Sequence, residues 1–186
     1  VLTGVNYTVA KNEMIFFDKW REDIQQKLEK KFPGYEVAIT SFSKDETKAV
    51  VVTYSDKSRG TYYHYDVDKN KLIKLGEVSP WLNEENMSEM KPVKYISRDG
   101  LTINGYLTLP KGTNEKNLPV VVNPHGGPWA RDNWGYKSEI QFLANRGFAV
   151  FQMNFRGSTG YGREFWEKSF KEWGKSMKDD ITDGVN

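Results

Sequence analysis

Hydrophobic residues along this chain follow two periods, and the switches between them mark out its elements. Trp20, Ile24, Leu28 and Phe32 recur every four residues between charged ones, which makes one apolar stripe of a helix. Asp18 stands where an N-cap belongs and Pro33-Gly34 stops the run, so the predicted helix covers 18–32. Ahead of it, 6–10 and 14–17 alternate as short strands do. From Glu36 the period falls to two. The stretches 36–40, 49–54, 61–67 and 71–75 are rich in Val, Tyr and Thr and predict a four-stranded blade within 36–76. Ser-Lys-Asp-Glu, Ser-Asp-Lys-Ser-Arg-Gly and Asp-Lys-Asn-Lys separate them, all turn chemistry. Strands so spaced form an antiparallel meander, as in a sandwich, a barrel or one propeller blade.

The polar, irregular run from Pro80 to Met87 breaks the pattern. A domain boundary is expected within 86–92, dividing the chain into 1–88 and 89–186. Beyond it, 93–96 and 101–109 alternate around Asp99-Gly100, a strong hairpin signal. Val120, Val121 and Val122 predict a short buried strand. A helix over 138–145 follows, with Ile140, Leu143 and Ala144 on one side and Arg146-Gly147 closing it. A second buried strand at 148–155 completes a β-α-β unit. Trp166, Phe170, Trp173 and Met177 lay out another apolar helical stripe, interrupted at Gly174, and 179–183 begins one more helix. The expected fold class is therefore mixed. A blade-like antiparallel meander precedes the N-terminal part of an α/β-hydrolase sheet, laid out in order up to the strand that carries the nucleophile.

Composition narrows the function. The 186 residues suffice for one ordinary domain or parts of two. Apolar residues make up 38% and aromatic ones 14%, enough for a core. Positive and negative charges cancel to +2, which argues against nucleic acid or a membrane surface as partner. With no cysteine, disulfides, thiolate metal sites and a cysteine nucleophile are excluded. No apolar run reaches the roughly 20 residues that span a bilayer, and the opening VLTGVNYTVAKNEM is not built like a signal peptide. A cytoplasmic location is expected, and the chain reads as though it starts inside a larger protein. No residue cluster implies a metal or cofactor.

Candidate chemistry begins at Pro119–Trp129, where the valine strand runs into Asn123, Pro124, His125 and Gly126-Gly127-Pro128. Such a strand end brings bare backbone N–H groups to the carboxyl edge of a sheet, where ligands bind in open α/β folds. The other histidine, His64, alternates with Tyr62 and Asp66 on one strand face. With no second ligand at metal spacing, it reads as a partly exposed cross-strand partner.

His125-Gly126-Gly127-Pro128, Asn154-Phe155-Arg156-Gly157-Ser158-Thr159-Gly160-Tyr161-Gly162, Trp173-Gly174 and Asp179-Asp180 follow one another in an order and spacing that resemble the prolyl oligopeptidase family of serine peptidases, in its acylaminoacyl-peptidase and dipeptidyl-peptidase-like branch. The resemblance covers 91–186. It implies that 1–88 is the end of a β-propeller and that 89–186 opens the peptidase domain. It also implies a peptide substrate, hydrolysis through an acyl-enzyme, and an oxyanion-hole region at His125, Gly126 and Gly127. Arg156, Gly157, Ser158 and Tyr161 then belong to a loop that shapes the site. Either the His125 side chain or the N–H groups of Gly126 and Gly127 can donate to an oxyanion; alternatively, the imidazole fixes the loop by hydrogen bonding.

The chain departs from the family in one large respect. None of its serines sits in Gly-x-Ser-x-Gly, and no histidine follows one in triad order. Ser158 follows a strand, but in the frame Gly-Ser-Thr-Gly, and is rejected as nucleophile. By this reading the chain is truncated before the nucleophile elbow and inactive alone, and it self-associates or joins the rest of a parent chain. Two alternatives compete. One is a non-catalytic binding module with a hydrolase-like front half. The other is a nucleotide site at Gly157-x-x-Gly160-x-Gly162, whose spacing is reversed from the dinucleotide fingerprint.

Overall fold

The computed structural model describes residues 2–114 and 116–185. The chain divides into two compact units: one holds the chain up to Asn6 and Asn12–Glu85, the other Tyr7–Lys11 and everything from Asn86 on. In chain order the elements are β1 (Gly4–Thr8), β2 (Asn12–Phe16), α1 (Lys19–Glu29), β3 (Glu36–Phe42), β4 (Lys48–Tyr54), β5 (Thr61–Asp66) and β6 (Lys71–Glu77). There follow β7 (Met90–Ile96), β8 (Thr102–Thr108), β9 (Val120–Val122), α2 (Ser138–Ala144), β10 (Ala149–Asn154), α3 (Arg163–Glu167) and α4 (Ser176–Asp183). Strands β1 and β2 pair as a small two-stranded sheet. Among the described residues no helix is long and apolar enough to cross a membrane.

In the first unit, β3-β4-β5-β6 form one antiparallel four-stranded sheet in sequence order. Alternation does the work here: Ala49, Val51 and Thr53 of β4 are buried while Val50 and Val52 are half-buried. Helix α1 starts where the Asp18 carboxylate accepts the Arg21 N–H at 2.9 Å, a capping bond that satisfies one orphan donor of the first turn. Its Ile24 and Leu28 pack on Val37, Ala49, Val51 and Tyr65. Each such buried aliphatic side chain contributes about 1.5–3 kcal/mol. His64 lies half-buried on β5, opposite Val50 and Ile73.

In the second unit the sheet order is β7-β8-β10-β9. The β7–β8 hairpin turns at Asp99-Gly100, where the Gly100 N–H reaches the Ser97 carbonyl at 2.8 Å. Strand β10 runs antiparallel to β8 and parallel to β9, so β9-α2-β10 is the expected crossover unit. β10 is central and all six of its residues are buried. Phe151 and Met153 pack with Phe155, Phe165 and Met177, while Val150 packs with Met90, Tyr106 and Ile140.

Two expectations need correction. The valine strand is not buried: Val120 is 53% exposed, because β9 lies at the sheet edge and, among the described residues, pairs with β10 alone. The stripe from Trp166 to Met177 is not one interrupted helix. It breaks into α3 and α4, since both Lys171 and Gly174 take left-handed backbone angles of +63° and +70°, which a right-handed helix cannot contain. Helix α4 accordingly starts at Ser176, not at Asp179.

Candidate functional site

Strand β9 ends its ladder with the Asn123 N–H on the Phe151 carbonyl at 2.8 Å. Pro124 cannot extend the ladder, so His125 leaves the sheet beside the end of β10. Its imidazole stacks on the Phe155 ring, with centroids 4.6 Å apart and 14° between planes. Nδ1 lies 2.9 Å from the Gly126 carbonyl and Nε2 lies 2.8 Å from Ser158 Oγ. A carbonyl can only accept, so Nδ1 is the donor in its contact with Gly126. The ring is thus held on both nitrogens and on one face.

Ser158 is fully buried, and its hydroxyl also lies 2.7 Å from the Phe155 carbonyl. Its single hydrogen serves either that carbonyl or His125 Nε2. A nucleophile needs open space in front of Oγ; this one has none.

Gly126 and Gly127 are exposed, and among the described residues their N–H groups have no hydrogen-bond acceptor. The Gly127–Pro128 peptide bond is cis. Trp129 then turns its indole N–H onto Ser169 Oγ at 3.1 Å. Its ring meets Trp166, Phe170 and Trp173 at centroid distances of 5.9, 6.1 and 6.2 Å. Trp129, Phe170, Lys171 and Trp173 line an open cleft of about 420 Å³. The loop therefore presents two unspent backbone donors beside an exposed aromatic wall.

A polar frame whose pairings the sequence pattern did not announce supports this loop. Asn154, fully buried at the end of β10, binds the backbone of Asp132 in both directions, accepting its N–H at 2.8 Å and donating to its carbonyl at 3.1 Å. The same amide donates to the Tyr161 hydroxyl at 2.7 Å. Burial, first of all, pushes the Tyr161 hydroxyl pKa up, partly offset by the nearby Arg131 charge. Asp132 also pairs with Lys137.

Arg156 is 6% exposed and Asp180 fully buried. The guanidinium binds Asp180 in a fork, Nε to Oδ2 at 2.8 Å and Nη2 to Oδ1 at 2.7 Å, and the Arg156 backbone N–H adds a third bond at 2.9 Å. On its other side it reaches Asp99 at 2.8 Å. The Arg156 guanidinium, then the Ser97 hydroxyl, hold the Asp99 carboxyl well below the usual carboxylate range. Asp180 chiefly, with Asp99, raises Arg156 in turn against the cost of burial. Arg156 thus fastens α4 to the end of β10 and to the hairpin turn.

The structure therefore brings His125 and Ser158 together, sets Tyr161 under the loop through Asn154, and commits Arg156 to an internal ion pair. Gly157, Ser158 and Thr159 give their N–H groups to the carbonyls of Phe165, Phe155 and Ala130, so these three donors of the glycine-rich segment are not open to a phosphate. Among the described residues, no three His, Asp or Glu side chains gather to hold a metal ion.

Residues 134–186 match the profile of the prolyl oligopeptidase family. Dipeptidyl aminopeptidase BIII of Pseudoxanthomonas mexicana is 39% identical over 172 residues, covering 89% of this chain and 25% of that protein. Dipeptidyl peptidase family member 6 of Caenorhabditis elegans is 31% identical over 189 residues, covering 90% of this chain and 25% of its own length. The chain thus spans about a quarter of the curated relatives it matches. A solved puromycin-hydrolyzing peptidase of Mycobacterium tuberculosis superposes over 98% of this chain and 28% of its own, with a TM-score of 0.72 at 22% identity.

Proposed function

The chain belongs, through residues 134–186, to the prolyl oligopeptidase family, and from that premise we propose that it is part of a serine peptidase that cleaves peptides through an acyl-enzyme. Residues 1–88 are read as the end of a propeller and 89–186 as the start of the α/β-hydrolase domain. The sequential meander β3–β6 and the β9-α2-β10 crossover support that reading.

One observation carries it: the unspent, exposed N–H groups of Gly126 and Gly127 at the end of a parallel strand. In acyl transfer, serine Oγ attacks the scissile carbonyl carbon while its proton passes to a base. The carbonyl oxygen becomes an oxyanion, the amine leaves with that proton, and water then releases the acyl group. Donors aimed at the oxyanion lower this barrier, one such donor being worth about 3 kcal/mol. His125, already held at Nδ1 and Nε2, is the brace of the loop, and the backbone supplies the donors. Arg156, Gly157, Ser158 and Tyr161 hold the loop's floor. The attacking serine with its Asp and His lies outside these 186 residues.

The test is peptide hydrolysis by the full-length protein that contains this chain, followed by mapping of a fluorophosphonate adduct. Turnover of an aminoacyl or dipeptidyl chromogenic substrate, with the adduct on a serine outside 1–186, is expected. An adduct inside 1–186, or turnover indifferent to the reagent, would refute the proposal.

A further inference from the structure

Arg131 lies two residues beyond Trp129 and, among the described residues, makes no ion pair. Instead its guanidinium reaches back to the start of the chain. Nη1 donates to the Thr8 carbonyl at 3.0 Å and Nη2 to the Val9 carbonyl at 2.9 Å. Nη2 also donates to the Tyr161 hydroxyl at 3.0 Å, and Nε donates to the Asp132 carbonyl at 3.1 Å. The guanidinium lies over the Tyr161 ring, 4.6 Å from its centroid. Two further contacts hold the same segment: the Tyr106 hydroxyl donates to the Ala10 carbonyl at 2.7 Å, and the Lys11 ammonium lies 3.7 Å above the Trp134 ring. The glycine-rich loop makes room for the clamp. A Cβ on Gly160 would stand 2.5 Å from Arg131 Nη1, and the φ of +87° at this position itself favours glycine.

We infer that Arg131 is a positioning residue that ties the loop carrying Gly126 and Gly127 to the Thr8–Ala10 segment, so that anchoring of this segment sets the aim of the two backbone donors. Only a planar five-donor group serves two successive carbonyls, a hydroxyl and its own chain at once. A lysine can reach some of these acceptors but cannot hold them as a plane. The inference rests on the oxyanion reading above for its catalytic consequence, and on the hydrogen bonds alone for its structural one.

The experiment compares wild type, Arg131→Gln and Arg131→Lys in the full-length protein, by steady-state hydrolysis of a chromogenic peptide and by backbone hydrogen exchange. Since a misplacement of about 1 Å costs on the order of 100-fold in rate, Arg131→Gln is expected to lower kcat by roughly 10- to 100-fold with KM changed less than about threefold. Exchange should quicken together at 7–11 and 125–129. Arg131→Lys should fall between the two in both readouts, and it stands in if the glutamine variant does not fold. Wild-type exchange at either segment, or an unchanged kcat, overturns the inference. If wild type itself neither turns over peptide nor forms a serine adduct, the oxyanion reading fails, while the joint exchange of the two segments still decides whether Arg131 clamps them.

Discussion

His125 Nε2 and Ser158 Oγ lie 2.8 Å apart across 33 residues of sequence, the separation of a nucleophile and its general base. The surroundings assign the pair another job. Ser158 has no exposed surface, its hydroxyl also faces the Phe155 carbonyl, and the second imidazole nitrogen faces a backbone carbonyl where a triad would place a carboxylate. The pair is a cross-brace between the loop after β9 and the loop after β10.

Ser158→Ala should therefore act on stability. It leaves His125 Nε2 and the Phe155 carbonyl without their hydroxyl, at a cost of about 1–3 kcal/mol. Urea unfolding followed by the tryptophans of residues 129–173 measures it.

Breaking the Arg156–Asp180 fork should cost more. Removing one partner of a buried pair typically costs about 3–5 kcal/mol, and Asp99, still in contact with Arg156, sets the expected loss at the low end of that range. Asp180→Asn is thus expected to destabilise the second unit well beyond any exposed pair such as Arg163–Glu167, as a Glu167→Gln comparison in the same denaturation series would show.

Asp99 and Asp183 are both held below the ordinary carboxylate range, Asp99 by Arg156 and Asp183 by Arg98. A carboxyl depressed in the fold gives stability that is complete above its unfolded pKa of about 3.9 and is lost as pH falls below it. The stability gap between wild type and Asp99→Asn should stay constant above about pH 5 and narrow steadily toward pH 2. A gap that does not depend on pH contradicts the assignment.

Gly157 takes φ +94°, and a Cβ there would stand 2.5 Å from Ser169 Cβ and 2.7 Å from its Oγ. Gly157→Ala must push Ser169 away and so release the Trp129 indole that it anchors. A red shift of tryptophan emission together with a loss of about 2 kcal/mol or more is expected, the left-handed strain alone being worth about 1–2 kcal/mol.

Much of the scaffold was legible because burial imposes a period. The Val, Thr and Tyr content of β4 marked it as a strand, and the Asp99-Gly100 turn marked the β7–β8 hairpin. The valine strand, the helix after it and β10 followed from β-branched and amphipathic runs. Its edge position was not legible, since three valines in a row do not say which side has a neighbour. The break between α3 and α4 hid behind aromatic spacing that mimics a helix, because Lys171 in a left-handed conformation leaves no sequence mark. At the site, His125 and the paired glycines stood out by type. The pairings of Arg131, Asn154 and Asp99 did not, since their partners lie 22 to 123 residues away and polar residues carry no period. One signal was available: Asn154 and Arg156 bracket the end of a strand rich in apolar residues, where only paired polar groups survive burial.

The central claim is that this chain holds the donors for an oxyanion but not the serine that creates one. It is tested most directly by incubating the purified 186-residue chain with a fluorophosphonate probe, alongside its Ser158→Ala variant, and reading the intact mass. No stoichiometric adduct should form on either. Full labelling of the wild-type chain that disappears in the variant would make His125 and Ser158 a working dyad and contradict the account.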